Sequence, residues 1–199
     1  MEQTVIYIHG QGGSAAEAEH YRSLFPHARV VGLAYSARTP WEAAAEFPAL
    51  FHAACKGSGA VTLIANSIGA YFAMTALPQQ EIAEAFFISP VVDMAKLIGR
   101  MMAQANVSEA ALRESGEIGT ASGQALSWEY LVYAREHPPR WTVPTRILYG
   151  GRDALIPRAE IDAFARQSGA ALTVMDDGEH WFHTAEQMRF LDRWITAAR

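Results

Sequence analysis

The stretch Leu63-Ile64-Ala65-Asn66-Ser67-Ile68-Gly69-Ala70-Tyr71 decides how this chain is read. Its first half is apolar without alternation, the pattern of a strand covered on both faces, and its second half opens a helix. One serine stands at the corner. Serine is favoured at helix starts, so the corner alone fits a helix cap as well as a nucleophile. The rest of the chain has to separate the two.

Similar apolar runs recur on both sides of it. They lie at Val5–Ile8, Arg29–Ala34, Val61–Ala65, Ala85–Ile88, Thr145–Tyr149 and Ala171–Met175, with helical patterns between them. That alternation predicts βαβ units, hence an α/β fold with a mostly parallel sheet of about six strands and helices on both faces. Thr39-Pro40-Trp41-Glu42 is a capping box with proline at the first helical position, opening a helix to about Cys55. Pro48 predicts a kink there or a division into two pieces. A last helix over Thr184–Ala198 puts Met188, Leu191 and Trp194/Ile195 on one face.

Residues 91–142 break this rhythm with two or three helical pieces, scattered glycine and a Pro138-Pro139 stop. The segment is far longer than an ordinary connection between two strands. It reads as a small helical cap inserted into one domain spanning residues 1–199, lying over one edge of the sheet. Met94, Met101 and Met102, with Trp128, Tyr130 and Tyr133, either line an apolar pocket or pack that cap on the body.

Composition narrows the class. Half of the 199 residues are hydrophobic, about a fifth are charged, and the net charge is −5, which argues against nucleic-acid and anionic-membrane partners. The single cysteine, Cys55, excludes an internal disulfide framework and a thiolate zinc cluster. The sequence "MEQTVIYIHG" lacks signal-peptide character and no apolar run reaches spanning length, so the expectation is a cytoplasmic protein without membrane insertion.

In a parallel sheet the binding crevice lies beyond the carboxyl ends of the strands. His9, Gly10, Gln11, Gly12 and Gly13 follow the first strand, and Ser67 follows the third. Ser89, Pro90 and then Asp93 follow the fourth; Gly150, Gly151, Arg152 and Asp153 follow the fifth; Asp176, Asp177, Gly178, Glu179 and His180 follow the sixth. A serine, an aspartate and a histidine therefore share one end of the sheet in the order Ser…Asp…His, the chain order of one class of hydrolase triad. Gly10-x-Gly12-x-x-Ala15 also fits a dinucleotide fingerprint, but the next strand, in "VVGLAYS", carries no acidic residue to hold a ribose.

On these residues the sequence resembles a compact α/β-hydrolase of the small bacterial carboxylesterase and lipase-like kind. Ala65-Asn66-Ser67-Ile68-Gly69 is similar to the Gly-x-Ser-x-Gly elbow with alanine in first place, and "HGQGG" resembles the oxyanion loop. "LYGGRDALIP" resembles the acid loop and "DDGEHWFH" the histidine loop. The two N-terminal strands usual in the family are missing, so the resemblance implies a fold shortened at that end.

It also implies roles: Ser67 as nucleophile, His180 as base, Asp153 as acid, and the backbone N–H groups of Gln11 and Ile68 as oxyanion donors, with no cofactor or metal. Asp93 is the second candidate acid and otherwise a helix cap, His183 the second candidate base and otherwise a helix-start residue. His9 reads as a brace for the oxyanion loop. The implied substrate is a small-molecule ester of a small or medium acyl group. Thioesterase, amidase, peptidase and acyltransferase chemistry use the same triad, and a non-catalytic relative that binds a ligand or partner is the alternative of a different class.

Overall fold

The computed structural model describes residues 2–121 and 123–198. In chain order the elements are β1 (Glu2–Ile8), α1 (Glu19–Arg22), β2 (Ala28–Gly32), α2 (Pro40–Cys55), β3 (Ser58–Asn66), α3 (Ile68–Ala76) and β4 (Glu84–Ile88). There follow α4 (Met94–Gln104), α5 (Glu109–Ser115), β5 (Glu117–Gly119), β6 (Ala125–Ser127), α6 (Trp128–Glu136), β7 (Thr145–Gly150), α7 (Arg158–Ser168), β8 (Ala171–Met175) and α8 (Ala185–Ala197). By its internal contacts the chain divides into two compact units, Met1–Val92 with Arg140–Arg199, and Asp93–Pro139.

Among the described residues, the first unit is built on a six-stranded sheet in the order β2-β1-β3-β4-β7-β8, every neighbouring pair parallel. Alternate residues of each strand face opposite sides, and both sides are covered. Val5, Tyr7, Ile64, Phe86, Ile88 and Leu148 share one core with Tyr21 of α1 and Leu191 and Ile195 of α8. On strand parity Ile6, Ile8, Leu63, Ala65 and Phe87 face the other way, all fully buried or nearly so; α2 and α3 pack on β1 and on each other, with Phe47 and Phe51 buried. Burying a large side chain of this kind is worth about 1.5–3 kcal/mol.

The chain turns back after β2 and places β3 on the opposite side of β1, so strand order reverses between β1 and β3. The crevice beyond their carboxyl ends is where such sheets take ligands. Register levels the loops there. Ile8 pairs with Ala65, and Asn66 with Ile88, so the loop after β1, the corner after β3 and the turn after β4 stand side by side.

The expected strands are all present, with ends moved by a few residues. β3 begins at Ser58, ahead of the apolar run, because its polar start pairs with Glu2. Pro48 does not divide its helix: α2 runs unbroken from Pro40 to Cys55, capped by Thr39, whose side chain accepts from the Glu42 N–H at 3.3 Å. Phe47 and Phe51, one turn apart and both buried, hold the segments before and after the proline on one face.

The second unit departs from an all-helical reading. Beside α4, α5 and α6 it contains the antiparallel hairpin β5–β6, paired Glu117 to Ser127 and Gly119 to Ala125. Strands of three residues are too short to show an alternating pattern. Leu112, Leu126 and Leu131 are buried within it.

Candidate active site

Ser67 sits between β3 and α3 with φ 51° and ψ −120°. That backbone is sparsely populated for a residue with a Cβ and costs on the order of 1–3 kcal/mol. Neighbouring backbone holds it there: the Ser67 N–H donates to the Ile88 carbonyl at 3.0 Å, and its own carbonyl accepts from Ala70 and Val91, both at 3.1 Å. Its side chain makes no cap hydrogen bond to α3. Instead Ser67 Oγ lies 2.8 Å from His180 Nε2. A serine serving as a helix cap has an extended backbone and uses its oxygen on the helix. Ser67 does neither.

The tight corner depends on Gly69. A Cβ there would collide with the carbonyl oxygens of His9 and Ile8, the latter at 2.8 Å, so α3 lies directly against the carboxyl end of β1. The same close packing brings the glycine loop to the serine: a Cβ on Gly10 would stand 3.2 Å from Ser67 Cβ.

His180 is fixed from its other side. Its Nδ1 lies 2.7 Å from Asp153 Oδ2, and the Asp153 side chain is 0% exposed. The second carboxylate oxygen, Oδ1, accepts the N–H groups of Leu155 at 2.8 Å and Ile156 at 2.9 Å. Both carboxylate oxygens are therefore engaged, and the orientation of the side chain is set by its own loop. The loops carrying the pair interlock: a Cβ on Gly150 would collide with the carbonyls of Glu179 and Gly178, and Arg152 N–H donates to Gly178 C=O at 2.8 Å.

The other candidates are occupied elsewhere. Asp93 caps α4, accepting from Lys96 N–H at 3.0 Å and pairing with the Lys96 ammonium at 3.0 Å. His183 precedes the Thr184 cap of α8, its ring 2.6 Å from the Trp181 carbonyl and its N–H donating to Gln187. His9 Nδ1 lies 2.8 Å from the Gly10 carbonyl, and its ring stacks on Tyr35 at 4.2 Å.

In the glycine loop the Gly13 N–H donates to the Gly10 carbonyl at 3.1 Å, making a turn with Gln11 and Gly12 at its centre and φ 77° at Gly12. Ile68 is the first residue of α3, so its N–H has no acceptor within the helix. The Glu17 carboxylate closes the loop from behind, accepting from Ser14 N–H at 2.9 Å and from the Tyr7 hydroxyl at 2.5 Å. Burial first, then the neighbouring Tyr21 and Glu17, hold the Tyr7 phenol far above its usual range, so it stays a donor. Tyr35, which the strand-end reading passed over, also belongs to this loop. Extending that reading to the residues after β2 finds it, three positions beyond Gly32.

A parallel sheet with this strand order, a strained serine at the β3–α3 corner and histidine and acid loops after the last two strands define the α/β-hydrolase fold. The solved structures it resembles carry that fold. The chain matches alpha/beta hydrolase domain-containing protein 10 from mouse over 98% of its length and 88% of that chain, at 18% identity and a TM-score of 0.76. It matches Est1E from Butyrivibrio proteoclasticus over 99% of its length and 86% of that chain, at 15% identity and a TM-score of 0.74. An esterase from Pyrococcus furiosus matches over 99% and 80%, at 20% identity and a TM-score of 0.60. No protein-family model matches the sequence, and no curated protein matches it. Among the described residues, no helix is long and apolar enough to cross a membrane.

Proposed function

We propose that the protein is a serine hydrolase that cleaves esters of small or medium acyl groups through an acyl-enzyme. The observation that carries this reading is Ser67 itself, strained at the corner, making no helix cap and hydrogen-bonded to His180 at 2.8 Å. A carboxylate accepts only, so Asp153 draws the proton of neutral His180 to Nδ1 and leaves the Nε2 lone pair facing Ser67 Oγ.

Chemistry follows from that tautomer. Nε2 takes the hydroxyl proton as Oγ attacks the ester carbonyl, and Asp153 stabilises the imidazolium that forms. The N–H groups of Gln11 and Ile68 receive the developing oxyanion, each such donor being worth about 3–4 kcal/mol of barrier. His180 then protonates the departing alcohol. Water, deprotonated by His180, hydrolyses the acyl-enzyme and frees Ser67. No cofactor enters this sequence. An esterase from Pyrococcus furiosus among the fold neighbours supports the ester class.

The test is hydrolysis of p-nitrophenyl acetate, butyrate and octanoate beside a matched thioester and anilide, by the wild type and Ser67→Ala. The reading expects turnover fastest on a short or medium ester and lost in the variant. A thioester or anilide preferred by orders of magnitude reassigns the substrate class. No turnover of any of them by folded protein favours a ligand-binding role on the same fold.

A further inference from the structure

We propose that Tyr35 is a positioning residue for the oxyanion site, acting through His9 to fix the peptide that carries the Gln11 N–H. The inference rests on the hydrolase reading and on the geometry of one peptide unit. The Gly10 carbonyl and the Gln11 N–H are the two ends of the same planar trans peptide, so fixing one end aims the other in the opposite direction. Two donors hold the carbonyl end: the Gly13 N–H at 3.1 Å and the His9 ring at 2.8 Å. A carbonyl oxygen only accepts, so in this contact His9 Nδ1 carries the proton.

His9 is in turn gripped at two points by one side chain. The Tyr35 ring stacks on the imidazole at 4.2 Å with an interplanar angle of 12°, and the Tyr35 hydroxyl donates to the His9 carbonyl at 2.7 Å. Stacking fixes the ring that holds Gly10; the hydroxyl fixes the backbone from which that ring springs. Tyr35 is itself immobilised. Glu46 of α2 accepts from Ser36 N–H at 3.1 Å and Ala37 N–H at 2.9 Å, and Phe47 and Phe72 meet the Tyr35 ring edge-on at 4.9 and 6.2 Å. Burial above all, with the charges of Glu17 and Glu46, raises the phenol well beyond its usual range and keeps it a donor. The line of support therefore runs from α2 through Tyr35 and His9 to the Gly10–Gln11 peptide. None of these Tyr35 contacts is with a reacting atom.

Tyr35→Phe removes only the hydroxyl bond, and Tyr35→Leu removes the stacking as well. Each is compared with wild type for kcat and KM on p-nitrophenyl butyrate, for inhibition by an alkyl trifluoromethyl ketone, and for thermal midpoint. The ketone's hemiketal oxygen occupies the oxyanion position, so its affinity reports donor alignment. Tyr35→Phe is expected to lower kcat about 10-fold with KM little changed, below the loss caused by removing a whole donor. Tyr35→Leu should lower it about 100-fold, and ketone affinity should fall in step with kcat in both. Unchanged kcat and ketone affinity in both variants, or losses that track thermal midpoint or appear in KM alone, overturn the inference while leaving the hydrolase reading intact. A folded wild-type protein that neither hydrolyses an ester nor binds the ketone overturns both.

Discussion

Replacing Asp153 by asparagine isolates the tautomer on which the mechanism depends. The wild-type carboxylate accepts three N–H groups, Leu155 and Ile156 on Oδ1 and His180 Nδ1 on Oδ2. Asparagine has one oxygen, and two backbone donors claim it. Its amide NH2 is thereby turned toward His180, a donor facing Nδ1. The imidazole responds by moving its proton to Nε2, which leaves no lone pair for the Ser67 hydroxyl. The fold keeps both loop hydrogen bonds, so stability should fall by no more than about 1 kcal/mol. Turnover should fall by about 10⁴, close to 5.5 kcal/mol of barrier. Asp153→Ala gives the contrast, since it also orphans the Leu155 and Ile156 N–H groups at a cost of about 1–3 kcal/mol each where they are buried. The assay is p-nitrophenyl ester hydrolysis beside thermal unfolding followed by circular dichroism. An Asp153→Asn enzyme retaining a tenth of wild-type kcat refutes the tautomer argument.

Three further outcomes follow from the same geometry. At Ser67 the backbone is the mirror image of a common extended conformation and suits glycine, so Ser67→Gly should be about 1 kcal/mol more stable than Ser67→Ala, against the usual order; denaturant titration of the two inactive variants checks it, and an alanine variant that is equally or more stable contradicts the strain. His180→Ala should abolish ester turnover while His183→Ala leaves most of it, because the His183 ring lies on the Trp181 carbonyl, and steady-state kinetics showing the reverse pattern exchanges their roles. Burial raises the Cys55 thiol to about 11, so its alkylation by iodoacetamide should be slow at neutral pH and quicken about tenfold per pH unit toward that value; a rate that levels off near pH 9 contradicts it.

Much of this structure was legible in the sequence, for one physical reason. Strands of a parallel sheet are buried on both faces, so each shows as a short uninterrupted apolar run, and the residues directly after those runs line one crevice. Ser67, Asp153 and His180 lie after such runs among several other polar residues, the resemblance to α/β-hydrolases singles them out, and the structure brings their side chains into one hydrogen-bonded line. What escaped depends on contacts distant in sequence. The φ of Ser67 is imposed by Ile88 and Val91, residues the local reading of "NSIG" does not include. The β5–β6 hairpin has too few residues for a period, and the continuity of α2 through Pro48 rests on the burial of Phe47 and Phe51. Tyr35 acts through a hydrogen bond 26 positions away and has no motif of its own.

Reaction with a fluorophosphonate, followed by peptide mass mapping, tests the central claim most directly. An activated serine with a preorganised oxyanion site takes one phosphonyl group per chain, and the account predicts that adduct on Ser67, absent from Ser67→Ala and from His180→Ala. Folded wild-type protein left unlabelled, or labelled on another residue, contradicts it.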